Sequence, residues 1–171
     1  TPVTLFQFGL SPEDEGIQAA ERAATQGMTR ALIVQPEAAW GERIANAFAA
    51  RWEQLGGAVA GRMRYAEGQA DHGAGLQAVL HLDQSRERHR AVSQALGQRP
   101  EFEPRRRADI DLVLLVARQL SARQIRPQLQ YHRAADLPVI ATSRVWDGDL
   151  DRQSAPDLTG IIVPDQPWML R

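Results

Sequence analysis

Residues 30–57, RALIVQPEAAWGERIANAFAARWEQLGG, decide the fold class. Ala31 to Val34 form an apolar run long enough for a buried strand and too short for a helix. Pro36 stops that strand, and residues 35–40 read as a loop. From Gly41 the period changes: Ile44, Phe48, Trp52 and Leu55 recur at helical spacing on one face. Gly56 and Gly57 end the helix, because glycine accepts the left-handed conformation that helix ends adopt. A buried strand feeding an amphipathic helix is half of a parallel β-α-β unit.

The same alternation extends both ways. Upstream, residues 3–8 are β-rich. Ser11-Pro12-Glu13-Asp14-Glu15 then marks a helix start, with serine as N-cap, proline at the first helical position and acids in the first turn. That helix is expected to turn Ile17, Ala20 and Ala24 inward and to end near Gly27. Downstream, residues 58–65 form a second strand, arginine-rich on one side as at a sheet edge. Residues 69–96 read as two helices, one with Leu76, Val79 and Leu80 as its stripe, the other with Ala91, Val92, Ala95 and Leu96. The charged DQSRERHR between the stripes is expected to be exposed. DIDLVLLVA, residues 109–117, is the central strand. A helix over 118–133 buries Ala122, Ile125 and Leu129, with Pro127 inside it predicting a kink or an opened turn. Residues 138–141 and 158–163 supply the last strands.

Together these segments predict an α/β three-layer sandwich with a mostly parallel, flavodoxin-like sheet in the order 58–65, 31–34, 110–116, 138–141, 161–163. No repeat or low-complexity linker divides residues 1–171, so one domain is expected. Ligands of such sheets meet the carboxyl ends of the strands, here residues 35–40, 117–120 and 142–146.

Composition narrows the chemistry. A net charge of −1 gives no whole-chain field for nucleic acid or an anionic membrane. All 20 basic residues are arginine, which fits biased codon usage better than anion recognition. The absence of cysteine excludes disulfides, thiolate metal sites and a cysteine nucleophile. No apolar run reaches the roughly 20 residues that span a bilayer. No signal peptide is visible, and the chain opens mid-pattern, as a piece of something longer would.

The turn QPEAAWGE lacks the glycine pattern of a phosphate-cradling loop, so no nucleotide cofactor is expected. Asp109 and Asp111 share a strand side that suits Mg²⁺ in principle. They stand at the amino end of the strand, where a structural lead-in is the better reading, and no metal site is assigned. The histidines at 72, 81, 89 and 132 have no metal spacing. His132, near a helix end, reads as a cap or surface group rather than a base. Arg105 to Arg107 read as a solvated loop, with phosphate or an acidic partner as the sharper alternative. Trp40 and Trp146 fall at the ligand edge, to stack on a ligand, to anchor a partner or to pack the loop roots. No enzyme signature is present, and no catalytic residue is assigned.

With these pieces placed, the sequence resembles the second lobe of type I periplasmic binding proteins. More closely it resembles the carboxyl-terminal domain of the LpoA (LppC-type) family of penicillin-binding protein activators. The carriers are FGLSPEDE (residues 8–15), RRRADIDLVLLVA (105–117), ARQIRPQLQYHRAADLPVIATS (122–143) and DQPW (165–168). The resemblance implies a non-catalytic periplasmic module of an outer-membrane lipoprotein that binds a class A penicillin-binding protein and stimulates its peptidoglycan synthesis. It also implies a lipidated amino terminus outside this chain and one lobe of a two-lobed domain, with hinge strands around residues 6–10 and 162–168. Residues 69–108 are longer than the single crossover helix of ordinary receptors. The added charged helix, residues 83–96, is therefore the candidate partner-facing element, with Arg86, Arg88 and Arg90 as contacts. A cap over the sheet edge is the plainer alternative. The competing function is a small-molecule receptor lobe, gripping an amino-acid-like ligand from Trp40, Ser143 and Trp146, with Glu37, Ser121, Thr142 and Asp147 nearby.

Overall fold

The computed structural model describes residues 11–98, 100–146 and 156–164. The expected extended segment at 3–8, most of both hinge segments, Asp147 and the DQPW motif lie outside the described residues.

Helix α1 (Pro12–Thr25) begins as the sequence predicts. The Ser11 hydroxyl accepts from the Asp14 amide at 3.1 Å, and the Asp14 carboxylate accepts from the Ser11 amide at 3.2 Å. Its buried face is rotated from the expected one: Glu15, Gly16, Ala19, Ala20 and Ala23 are buried, while Ile17 and Ala24 are only partly so. The rotation follows from Gly16. A Cβ there would stand 2.6 Å from the Ile44 carbonyl oxygen and 3.0 Å from the Phe48 amide. The missing side chain lets α1 lie directly on α2 (Ala39–Gln54). Strand β1 (Arg30–Pro36) runs two residues further than the apolar run, and Gly41 lets the first turn of α2 fold over its last residue. A Cβ at Gly41 would meet the Pro36 ring at 2.5 Å.

Strands β2 (Ala58–Tyr65), β3 (Leu112–Leu115), β4 (Val139–Ala141) and β5 (Ile161–Ile162) complete an all-parallel sheet in the order β2-β1-β3-β4-β5. That is the order the sequence predicts. Alternate side chains point to opposite faces, so an unbroken apolar run serves two cores at once. Ala31, Ile33, Leu112, Leu114, Val116 and Ile140 pack under α1 and α2 with Phe48 and Trp52. Leu32, Val34, Val113, Leu115, Val139 and Ala141 pack under α3 (Gly73–Val79) and α5 (Gln119–Leu129) with Leu76, Ile125 and Leu129.

Three expectations are corrected. Helix α4 (Leu82–Leu96) carries the charged DQSRERHR segment as expected, with Asp83, Gln84, Glu87, Arg88 and Arg90 exposed, but it docks through that end, by buried Leu82 and Ser85. The stripe at its other end is exposed, Val92 at 49% and Leu96 at 63%. Second, α5 runs through Pro127 to Leu129, and the break comes later, in a wide π turn over Gln130–Ala134 with Arg133 left-handed at φ 66°. Third, His132 in that turn is buried, and burial pushes its imidazole below the usual value.

The amino ends of the strands are tied by charge. The Asp111 carboxylate accepts from the Thr29 amide at 2.8 Å, the Thr29 hydroxyl at 2.7 Å and the Arg30 amide at 3.0 Å, which sets β1 against β3. Asp109 takes a two-pronged hydrogen bond from Arg107, at 2.6 and 2.7 Å, and a third from Arg30 at 2.8 Å. Arg107 also donates to the carbonyl of Ala60, the bulged residue of edge strand β2. Arg106 pairs with Asp136 at 2.6 Å. Arg106 and Arg107 are therefore structural ties rather than a solvated loop, and the aspartates are carboxylates serving backbone and arginine.

Substituting Gly16→Ala is expected to destabilise the protein by about 1–3 kcal/mol, because the overlap falls on backbone atoms that cannot swing away; urea unfolding would measure it. Hydrogen bonds from Arg107, from Thr29 and from Arg106 hold Asp109, Asp111 and Asp136 respectively below the ordinary carboxylate range. Their stabilisation is complete above the unfolded-state pKa of about 4 and is lost as the pH falls from there toward the depressed folded values. Asp111→Asn should flatten that acid limb in a pH series of thermal melts.

Candidate functional site

In a parallel sheet every strand hands the chain to its helix at the carboxyl edge, so the loops after β1, β3 and β4 converge there. Trp40 opens α2, Arg118 precedes α5, and Ser143 and Arg144 begin a 3₁₀ turn (Ser143–Val145) after β4. The structure thus brings Trp40 and the Ser143 turn to one edge, with the half-exposed Trp146 directly after the turn.

Most hydroxyls of the edge are occupied. Ser143 donates its amide and its hydroxyl to the two oxygens of Glu15, each at 2.8 Å. Thr142 donates to the Ala117 carbonyl at 3.4 Å, and the buried Tyr65 phenol donates to the Val116 carbonyl at 3.0 Å. Burial pushes the phenol up to about 12, with Ser121 beside it. Of the ammonium-gripping set expected of an amino-acid receptor, Thr142 and Ser143 are therefore spent on internal hydrogen bonds, while Glu37 stands exposed. Two groups remain open: the fully buried Gln35 amide and the Trp40 indole Nε1 have no hydrogen-bond partner among the described residues.

The sequence did not single out Glu15, Arg118 or Arg144. Arg118 and Arg144 lie over the Trp40 ring, their guanidinium carbons 5.4 and 5.2 Å from its centroid. The available signal was positional, since both arginines fall just past a strand end.

The second candidate element is α4. Arg86 is half-buried and turned inward, donating to Asp83 at 3.2 Å and to the Gln77 side chain. Arg88 and Arg90 are exposed. Further along, His89 stacks on Phe102 with centroids 4.1 Å apart, and Val92 and Leu96 continue outward. Among the described residues no cluster of histidine, aspartate and glutamate could hold a metal, and no helix is long and apolar enough to cross a membrane.

Comparison with known proteins places this architecture. A family model described as "LppC putative lipoprotein" matches residues 1–171, the whole chain. The chain belongs to the LppC family. Its relatives include the penicillin-binding protein activator LpoA of Vibrio antiquarius, 29% identical over 166 residues, or 95% of this chain and 27% of the relative. The LpoA C-domain of Haemophilus influenzae, described as a regulator of PBP1A, superposes with a TM-score of 0.62 at 20% identity, over 94% of this chain and 42% of that one. A solute-binding protein of an ABC transporter from R. palustris gives 0.62 at 15% identity, over 90% and 35% of the two chains. This LppC chain therefore has the fold of LpoA C-domains and of periplasmic solute-binding proteins. It spans about a quarter of the length of the curated relatives it matches.

Glu15 joins the first helix to the last turn of the edge. Glu15→Ala removes the acceptor of two hydrogen bonds and should cost about 1–3 kcal/mol. Faster hydrogen exchange at the Ser143 amide, with β1 protection retained, would locate the loss.

Proposed function

We propose that this chain is the second lobe, with hinge segments, of a two-lobed domain in an outer-membrane lipoprotein. In that protein it helps bind and activate a class A penicillin-binding protein in the periplasm, and performs no catalysis itself. The observation that carries the proposal is the family match over the whole chain, joined to relatives named as activators rather than enzymes. The occupied hydroxyls of Thr142 and Ser143 support it by withdrawing part of the grip that an amino-acid receptor would use.

Helix α4 is the docking element in this proposal. It meets the body of the domain through Leu82 and Ser85, and its far half presents Arg88 and Arg90 beside Val92 and Leu96. An apolar centre with a charged border is the anatomy of a protein interface. Arg86 braces the helix against α3 rather than meeting the partner.

Calorimetric titration of the full lipoprotein domain with the periplasmic part of its class A synthase tests both statements. Saturable binding is expected, weakened about tenfold or more by Val92→Asp with Leu96→Asp, and less by Arg88→Glu with Arg90→Glu. The first pair measures apolar burial and the second measures charge. Absence of any binding by the unaltered domain would overturn the activator proposal. Unchanged binding by both pairs would remove α4 alone.

A further inference from the structure

Two buried histidines flank one point of the fold, the start of α3. His72 precedes the helix and is 1% exposed; His132, in the π turn after α5, is 7% exposed. A Cβ at Gly73, the first residue of α3, would stand 3.2 Å from His132 Nε2 and 3.0 Å from the Asp71 carboxylate. The helix thus begins between its own leading imidazole and a second one from the turn.

Neither ring is placed to carry a charge. The His72 ring stands edge-on to Tyr65, centroids 5.2 Å apart, and neither of its nitrogens has a hydrogen-bond partner among the described residues. Gln124 of α5 lies beside the ring but outside hydrogen-bond geometry. Gln128 of α5 is engaged with backbone, accepting from the His72 amide at 2.7 Å and donating to the Ala70 carbonyl at 2.8 Å. Beyond Tyr65, Glu67 and Arg118 pair with each other. His132 faces Arg86 of α4, with Leu82 and Pro104 lining the same hollow and the Tyr131 ring edge-on at 5.1 Å. Arg133, next in the turn, pairs loosely with Glu103 at 3.7 Å. Asp71 is the carboxylate near both rings, and its oxygen accepts from the Gly73 amide at 2.8 Å. Burial holds both imidazoles below the usual value; Arg86 adds to this for His132, and Asp71 opposes it for both.

The segment that starts here is lightly anchored. From Gly73 to Leu96 the buried side chains are Leu76, Leu80, Leu82 and Ser85. A segment with so few buried contacts opens at a lower free energy than the sheet beneath it. Charging a buried ring with the helix in place leaves an unpaired cation out of water, whereas charging it with the helix lifted carries no such cost.

We propose that His72 and His132 form an acid-sensitive latch that holds α3 and α4 against the sheet, closed while both rings are neutral and released when they take up protons. A proton on His72 draws the start of α3 toward water. A proton on His132 repels Arg86, and α4 with it. The closed form is favoured in full above the open-state pKa of about 6.5, and the preference is lost as the pH falls from there toward the lowered folded values. Each ring contributes at most about tenfold in the opening equilibrium per pH unit. This window lies above the one near pH 4 in which the aspartates act. The latch concerns how α4 is held; that it would govern the presentation of Val92 and Leu96 to a partner rests on the activator reading.

The test is amide hydrogen exchange of the ¹⁵N-labelled chain between about pH 7.5 and 5.5, corrected for intrinsic rates. The reporters are the Leu76, Leu80 and Ser85 amides, bonded to the carbonyls of His72, Leu76 and His81. Their opening equilibrium should rise about tenfold or more as the pH falls across that range. The Val116 amide, bonded to the Val34 carbonyl across β3 and β1, should change less than about twofold. A variant carrying His72→Phe and His132→Phe keeps a flat ring at each position and should lose the rise. In the unaltered chain the ring C–H signals of both histidines should titrate with midpoints below about 6.5, a reading that decides the matter should the variant not fold. No rise at the three helix amides, an equal rise at Val116, a rise retained by the double variant, or ordinary midpoints for both rings would overturn the proposal.

Discussion

The carboxylate of Asp111 fixes the junction on which the sheet depends. It accepts two backbone amides and a hydroxyl from Thr29 and Arg30, and so locks β1 beside β3 where the pair begins. Those two strands form the pair at which the strand order reverses, and β2 and β4 are added outward from them. A slip of one residue there would exchange every side chain between the two cores. Ala31 and Ile33 would then face the space filled by Leu32 and Val34, and neither helical layer would fit.

The two ends of the sheet divide their labour by chemistry. At the amino ends Asp109, Asp111 and Asp136 are bound to arginine or backbone, and the result is stiffness. At the carboxyl ends Glu15 is satisfied by Ser143, while the Trp40 indole N–H and both polar atoms of the Gln35 amide have no partner among the described residues, and two arginines lie over the Trp40 ring.

The sheet was readable from the sequence because its constraints are local and periodic: runs buried on both faces, glycine stops and a serine cap. Burial on α1 was not, since it turns on Gly16 meeting the backbone of α2, a contact between segments that no single-helix pattern contains. The stripe on α4 misled for the opposite reason. Ala91, Val92, Ala95 and Leu96 have the period of a core face, yet no layer among the described residues covers it. Periodicity reports that a face is apolar, and not what covers it. Trp40 and the Ser143 turn were placed at the right edge by topology alone. Glu15, Arg118 and Arg144 were missed because their roles depend on side chains meeting across three loops.

Each ion pair among the described residues is made by an arginine. A guanidinium keeps its proton far beyond the range in which a lysine ammonium would begin to lose its own. The network therefore has a switch on one side only. Alkali leaves every pair intact until the solution is basic enough to ionise phenols, and the buried phenol of Tyr65 resists even that. Amine-directed reagents, which cross-link or modify most proteins through their lysines, find no side chain here to attack.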